Sequence, residues 1–181
     1  MTNAIINVLS FLIEIFFNLY IICVLLRFFL QWVRADFYNP ICQFLVKVTN
    51  PLLIPLRRII PGFFGLDLAA VILAIILQCI EVVLLTLIHG MGISGVLFIF
   101  AIIELFLLVL NIYTFAILIR ALLSWLNPNP YNPMAIILFQ LTEPVLRPLR
   151  KRLSFGAMDW SPFVAIIIIQ VIVIFVKSLV Y

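Results

Sequence analysis

The residues that could do chemistry sit inside long apolar runs. Asn18, Gln78, Glu81, Asn111 and Gln170 interrupt stretches of Leu, Ile, Val and Phe. Polar groups in hydrocarbon are expensive, and they are kept for interhelical hydrogen bonds or for function. At a rise of 1.5 Å per residue, Asn18, Asn111 and Glu81 fall at similar depth, roughly 20 Å from the basic side of the chain. Gln78 and Gln170 lie nearer the middle. These five residues form a candidate intramembrane polar site. The amides are expected mainly as interhelical hydrogen-bonding groups. An ionised Glu81 at that depth needs a cation, a water cavity or a proton.

Reaction chemistry is not visible elsewhere. The one histidine, His89, falls at the end of an apolar run, and neither Ser94 nor Ser154 has a histidine beside it in the sequence. No HExxH pair and no glycine-rich phosphate loop is present. General acid–base catalysis needs paired titratable groups at one place. Most of the charges near the spans are Arg, which stays protonated and shuttles protons poorly. Cys23, Cys42 and Cys79 are scattered, with no CxxC spacing, and read as small packed hydrophobes. No catalytic residue, metal-ligand set or cofactor is expected, and the chain is read as not an enzyme.

The elements that must position these residues follow from composition. The 181 residues are 67% apolar and 10% charged. Ordinary soluble domains carry about 45–50% and about 25%. That excludes a soluble globular fold, and the high hydrophobicity excludes disorder. Four stretches, about 4–33, 66–89, 95–126 and 159–180, are long enough to cross a bilayer. The first is too long for a signal-peptide core and is expected to stay as a transmembrane helix. Between the spans lie two proline-rich connectors, about 34–65 and 127–158.

The connectors carry Arg34, Lys47, Arg57, Arg58, Arg147, Arg150, Lys151 and Arg152, against Lys177 alone on the other side. This bias predicts cytoplasmic connectors, with both termini and the 89–95 turn outside, which in a two-membrane bacterium is the periplasm. The formal charge of +4 flanks apolar spans, so anionic headgroups, not nucleic acid, are the expected partner.

The chain repeats itself. Asn18, Tyr20, Arg27, Trp32, Tyr38, Asn39, Pro40, Thr49, Pro51, Pro55 and Arg57 recur as Asn111, Tyr113, Arg120, Trp125, Tyr131, Asn132, Pro133, Thr142, Pro144, Pro148 and Arg150. Asp67 and Gln78 recur as Asp159 and Gln170, whereas Val173 stands in the place of Glu81. The expected fold is therefore an all-α membrane protein of four transmembrane helices. It is built as two parallel helix–connector–helix repeats, 1–90 and 91–181.

Within each connector, Asn39-Pro40 and Asn132-Pro133 predict helix starts, with Asn as cap and Pro in the first turn. Short interfacial helices over 40–49 and 133–142 should follow, ended by Pro51 and Pro144. Arg27 and Arg120 lie close enough to the helix ends to snorkel beside Trp32 and Trp125. Tyr20 and Arg27, seven residues apart, share a helix face, as do Tyr113 and Arg120. Pro55, Arg57, Arg58, Pro148, Arg150 and Lys151 complete a stiff basic segment that could anchor the connector to lipid or dock a partner.

These signatures resemble the YggT family of bacterial membrane proteins, also called YlmG-like. The likeness rests on Arg27-x4-Trp32, Tyr38-Asn39-Pro40, Thr49-x-Pro51 and Pro55-Leu-Arg-Arg58 with their second copies. The resemblance implies a small inner-membrane protein linked to osmotic tolerance and ion uptake. Plastid relatives are linked to assembly of a b-type cytochrome complex. Two functions are expected to compete. One is a non-catalytic membrane scaffold or assembly factor, contacting a membrane protein or a second copy of itself. The other is a small ion transporter or channel component in osmotic stress.

Overall fold

Apolar runs with no internal water must satisfy their own backbone, so they become helices. The computed structural model describes residues 2–60, 66–125, 132–155 and 158–180. In chain order the helices are α1 (Thr2–Trp32), α2 (Pro40–Ile59), α3 (Leu68–Ile88), α4 (Val96–Trp125), α5 (Pro133–Leu153) and α6 (Ser161–Val180). Before α6, β1 (Ser154–Phe155) and β2 (Met158–Asp159) form an antiparallel ladder of two rungs. Four helices are long and apolar enough to cross a membrane: α1, α3, α4 and α6. Among the described residues the fold is all-helical apart from that ladder, and α2 and α5 are the connectors.

The connector helices differ from the expected short ones. The helix does not stop at Pro51 or Pro144; α2 runs 20 residues and α5 runs 21, with Pro51, Pro55, Pro144 and Pro148 inside. A helical proline removes one N–H and crowds the carbonyls before it. Such a break is tolerated where neighbouring groups satisfy the exposed carbonyls. Tyr20 donates its hydroxyl to the Val48 carbonyl at 3.3 Å, and Arg27 Nη1 donates to the Val46 carbonyl at 3.4 Å. Donors from α1 therefore grip α2 on either side of the Lys47 carbonyl, the one whose helical donor Pro51 removes. In the second copy, Arg120 Nη1 reaches the Phe139 carbonyl at 3.5 Å, the matching position before Pro144.

The helix ends follow local rules. Asn39 Oδ1 accepts the Ile41 amide at 2.9 Å, and Asn132 Oδ1 accepts the Met134 amide at 3.0 Å. Both are N-caps with Pro40 and Pro133 in the first helical position. At the far end of α3, Gly90 adopts φ +69°. Its amide bonds the Leu87 carbonyl at 3.0 Å, and that of Met91 bonds the Thr86 carbonyl at 3.0 Å. This is a Schellman ending with glycine in the left-handed position. No atom lies within 4 Å of an added Cβ at Gly90. Gly90→Ala should therefore cost about 1 kcal/mol through backbone strain alone. A thermal melt in detergent checks this. α1 ends in the same way with Arg34 at φ 56°.

The chain divides into two compact units, Met1–Phe28 with Phe44–Phe106, and Phe29–Gln43 with Leu107–Tyr181. In the first, Ala69, Ala70 and Ala74 of α3 are fully buried beside a core that includes Ile21, Val24 and Leu53. Small side chains let helix backbones approach closely. In the second, Ile117, Leu141 and Leu146 are buried, and Phe29 meets Tyr113 edge-on at 5.3 Å. Asn39 Nδ2 also donates to the Pro133 carbonyl at 2.9 Å.

Candidate functional site

The repeated polar residues fold inward to lock each connector helix onto its transmembrane helix. Arg27 is 5% exposed. Its Nη1 donates to Thr49 Oγ1 at 2.6 Å and to Asn50 Oδ1 at 2.8 Å. Thr49, fully buried, donates its own hydroxyl hydrogen bond to the Leu45 carbonyl at 2.7 Å. The second unit repeats the arrangement. Arg120 Nη1 meets Thr142 Oγ1 at 2.7 Å, and Thr142 donates to the Leu138 carbonyl at 2.6 Å. Neither arginine snorkels as expected. Tertiary acceptors within reach outbid the interface, because a buried guanidinium needs several oxygens to offset its desolvation. Tyr20 and Arg27 do face one neighbour, since both donate to α2.

The two locks differ in one residue. Asn50 is replaced by Glu143 in the second copy, which accepts Arg120 Nη2 at 3.0 Å and Arg150 Nη1 at 3.3 Å. Arg120 also stacks on the Phe139 ring, 4.2 Å from its centroid. Beside this second lock opens a cleft of about 870 Å³ whose walls include Arg120, Phe139, Arg150, Asp159, Trp160 and Phe163.

A second pair of ties joins each connector to the following span. Arg57 forms an ion pair with Asp67, and its Nε is 3.4 Å from Asp67 Oδ1. Arg150 Nε donates to Asp159 Oδ2 at 2.8 Å. Asp67 is almost wholly buried, whereas the Asp159 side chain is 38% exposed. Asp159 Oδ1 also caps α6, accepting the Ser161 amide at 2.9 Å and its hydroxyl at 2.5 Å. Partial burial pushes the Asp159 carboxyl up, but the Ser161 bonds and Arg150 outweigh it and hold the group below its ordinary value.

A depressed folded pKa gives stability that is complete above the unfolded value and lost as pH falls through the folded one. Melting temperature should therefore fall more steeply below about pH 4 in the native chain than in Asp159→Asn. Parallel melts across an acid series would settle this, and identical slopes would contradict it.

The intramembrane polar residues separate into two groups. In the first unit, Glu81 is 3% exposed and accepts Asn18 Nδ2 at 3.2 Å and Gln78 Nε2 at 3.1 Å. In the second, Gln170 Nε2 donates to Thr114 Oγ1 at 3.2 Å. Asn111 is half-buried on α4.

The remaining signature residues lie outward or at helix ends. Trp32 is exposed and packs 6.5 Å from Phe29. Tyr38 is exposed, with its carbonyl bonded by Gln43 Nε2 at 3.2 Å. Lys47, Arg58, Arg147, Lys151 and Arg152 are exposed. Trp125 closes α4, and Tyr131 lies outside the described residues. The three cysteines are free thiols, and burial pushes that of Cys42 up, away from reactivity. No group of three or more His, Cys, Asp or Glu side chains able to hold a metal occurs among the described residues.

Sequence alone assigns no contact to Thr49, Thr142, Asn50, Glu143, Asp67 or Asp159, which the structure places in the locks and ties. Within-chain recurrence was the available signal for both threonines and both aspartates. Nothing in the repeat pattern singled out Asn50 or Glu143, because the two copies differ there.

Comparison with known proteins places this geometry. The model of the CCB3/YggT family matches residues 6–88 and again 99–180. A Pseudomonas aeruginosa protein is 47% identical over 159 residues, covering 86% of this chain and 81% of its own. The Escherichia coli K12 protein YggT is 36% identical over 171 residues, covering 92% and 87%. The ycf19 protein of Porphyra purpurea is 37% identical over 79 residues, which is 42% of this chain and 82% of its own. No solved structure matches. The two family segments each contain one Arg–Thr lock and one Arg–Asp tie, and the chain belongs to the CCB3/YggT family.

Proposed function

We propose that the protein is a non-catalytic scaffold or assembly factor of the bacterial inner membrane, supporting osmotic and envelope homeostasis. Its connectors face the cytoplasm and its termini the periplasm, as the positive-inside bias requires. One observation carries the reading. The repeated Arg, Thr and Asp side chains are spent on holding α2 and α5 rigid, which leaves a fixed outward face. On α2 that face presents Phe44, Lys47, Ile54, Arg58 and Ile59. Such a mixture of apolar and cationic groups suits a membrane-protein partner seated among anionic headgroups, or a second copy of the chain. The spans support the reading too, since only 17–22% of the positions in each are buried within the chain.

The test is a photo-crosslinker placed at Lys47 or Arg58 in living cells. One discrete protein adduct is expected. Lipid adducts alone, together with full complementation by a chain in which Lys47 and Arg58 are reversed in charge, would sink the proposal.

The Glu81 cluster favours a second reading, a small ion transporter or channel component in osmotic stress. A buried carboxylate with amide partners is the kind of group that lines an ion path. Proteoliposome flux that vanishes in Glu81→Gln is its expected signature, and absence of flux removes it.

A further inference from the structure

The carboxylate of Glu81 has a local balance that its neighbours do not close. It lies in α3 between Leu68 and Ile88, roughly 20 Å from the first end of the span and roughly 10 Å from the second. Both donors that reach it, Asn18 Nδ2 and Gln78 Nε2, are neutral amides. A hydrogen bond to a charged group is worth about 1.5–3 kcal/mol, while moving an ion out of water costs several. No Lys, Arg or His is bonded to Glu81 among the described residues.

The nearby charges make matters worse, because they have the same sign. Glu14 on α1 and Glu104 on α4 both act on Glu81 electrostatically. Gln78 is 4% exposed, its amide head lies against Glu81, and its Oε1 is buried with no hydrogen-bond partner. A buried amide oxygen without a donor is rare in folded proteins and calls for an explanation. A cation supplies one, because it takes up the carboxylate charge and the stranded carbonyl dipole together.

We propose that Glu81, Gln78 and Asn18 form a binding site for one alkali cation between α1 and α3. The ligands are hard oxygens: the Glu81 carboxylate, Gln78 Oε1 and, after an amide rotation, Asn18 Oδ1. Carboxylate and carbonyl oxygens suit hard, non-transition cations. One carboxylate in the ligand set matches one positive charge, which favours a monovalent ion over a divalent one. The second repeat lacks the site because Val173 stands in the place of Glu81 and Gln170 is bonded to Thr114 instead. Ser10 and Glu14 continue one face of α1 from Asn18 toward its N-terminal end, at spacings of four residues. Ser10 Oγ is also buried without a partner, so the polar track extends outward from the site.

The site is a claim about binding and stands apart from transport, because a bound cation can pin α1 to α3 without crossing the bilayer. The experiment is a thermal melt of the full chain in lipid nanodiscs. Sodium, potassium and choline chlorides are compared at equal ionic strength. A ligand present at a hundredfold excess over its dissociation constant should raise the melting temperature by about 5 °C or more. The gain is expected with sodium or potassium, not with choline, and should disappear in Glu81→Gln.

Equal melting temperatures in all three salts would overturn the proposal. So would a gain that survives Glu81→Gln, or one given only by magnesium or calcium. If Glu81→Gln does not fold, sodium NMR line broadening on the native chain reads binding directly. Broadening reversed by potassium is expected, and none at all overturns the site. A melt that succeeds while proteoliposome flux fails would keep the binding site and discard only the transporter reading.

Discussion

Replacing Arg57 by alanine should destabilise the protein by about 2–3 kcal/mol, below the range for a fully buried ion pair because Arg57 itself is partly solvated. The reason is what it leaves behind. The Asp67 side chain is 4% exposed, against 36% for Arg57, so the aspartate would lose its cationic partner where little water can replace it. Asp67 also stands directly before α3, where its backbone carbonyl receives the Ala70 amide at 3.0 Å. Arg150→Ala removes the equivalent guanidinium in the second copy, yet should cost clearly less. Asp159 there is 38% exposed and retains both bonds from Ser161. Reversible unfolding in mixed micelles would measure both variants. Equal losses would show that burial of the aspartate does not govern the effect. Converting Asp67 to asparagine in the Arg57→Ala background should recover part of the loss, because the stranded charge goes with it.

The second large effect is expected at the Arg27 lock. Arg27→Ala removes the hydrogen bonds to Thr49, Asn50 and the Val46 carbonyl together. With about 1 kcal/mol or somewhat more for each, a total near 2–4 kcal/mol follows. Thr49→Val is the sharper variant, since it keeps volume and removes only the hydroxyl. It leaves the guanidinium short of its 2.6 Å acceptor and the Leu45 carbonyl without its extra donor. A double-mutant cycle between Arg27→Ala and Thr49→Val should show coupling of about 1 kcal/mol or more, as for residues in direct contact. Additive losses would mean that the two side chains act independently. The same cycle at Arg120 and Thr142 should give weaker coupling, because Glu143 offers Arg120 a charged acceptor where Asn50 offers Arg27 a neutral one.

The spans were legible because hydrocarbon thickness sets a length that apolar runs must meet, and the four runs do. The caps at Asn39 and Asn132 were legible for an equally local reason, a side chain bonding an amide two residues on. What escaped the sequence is non-local. Pro51 and Pro144 looked like terminators because a helix considered alone cannot repair the break. The hold on either side of the break comes from Tyr20 and Arg27, which lie 28 and 19 residues before the carbonyls they bond. Depth alone could not show whether Arg27 would reach out to headgroups or inward to Thr49, since both lay within its length. Asn18 and Asn111 had equal claims on Glu81 by depth, and only the packing of α1 on α3 singled out Asn18. Arg57 and Asp67, ten residues apart, gave no local sign of pairing beyond their joint recurrence.

The membership of Phe29–Gln43 in the second unit bears on the order of synthesis. The edge-on aromatic neighbour of Phe29 from later in the chain is Tyr113, and the carbonyl that receives the Asn39 side-chain amide belongs to Pro133. Neither exists while the ribosome is still making the first hairpin. The end of α1 and the start of α2 must therefore wait, half-dressed, until the later helices enter the bilayer. A nascent chain halted before Tyr113 should leave Phe29 open to proteases or to borrowed partners. A gene encoding one hairpin alone would have to find those contacts in a sister molecule.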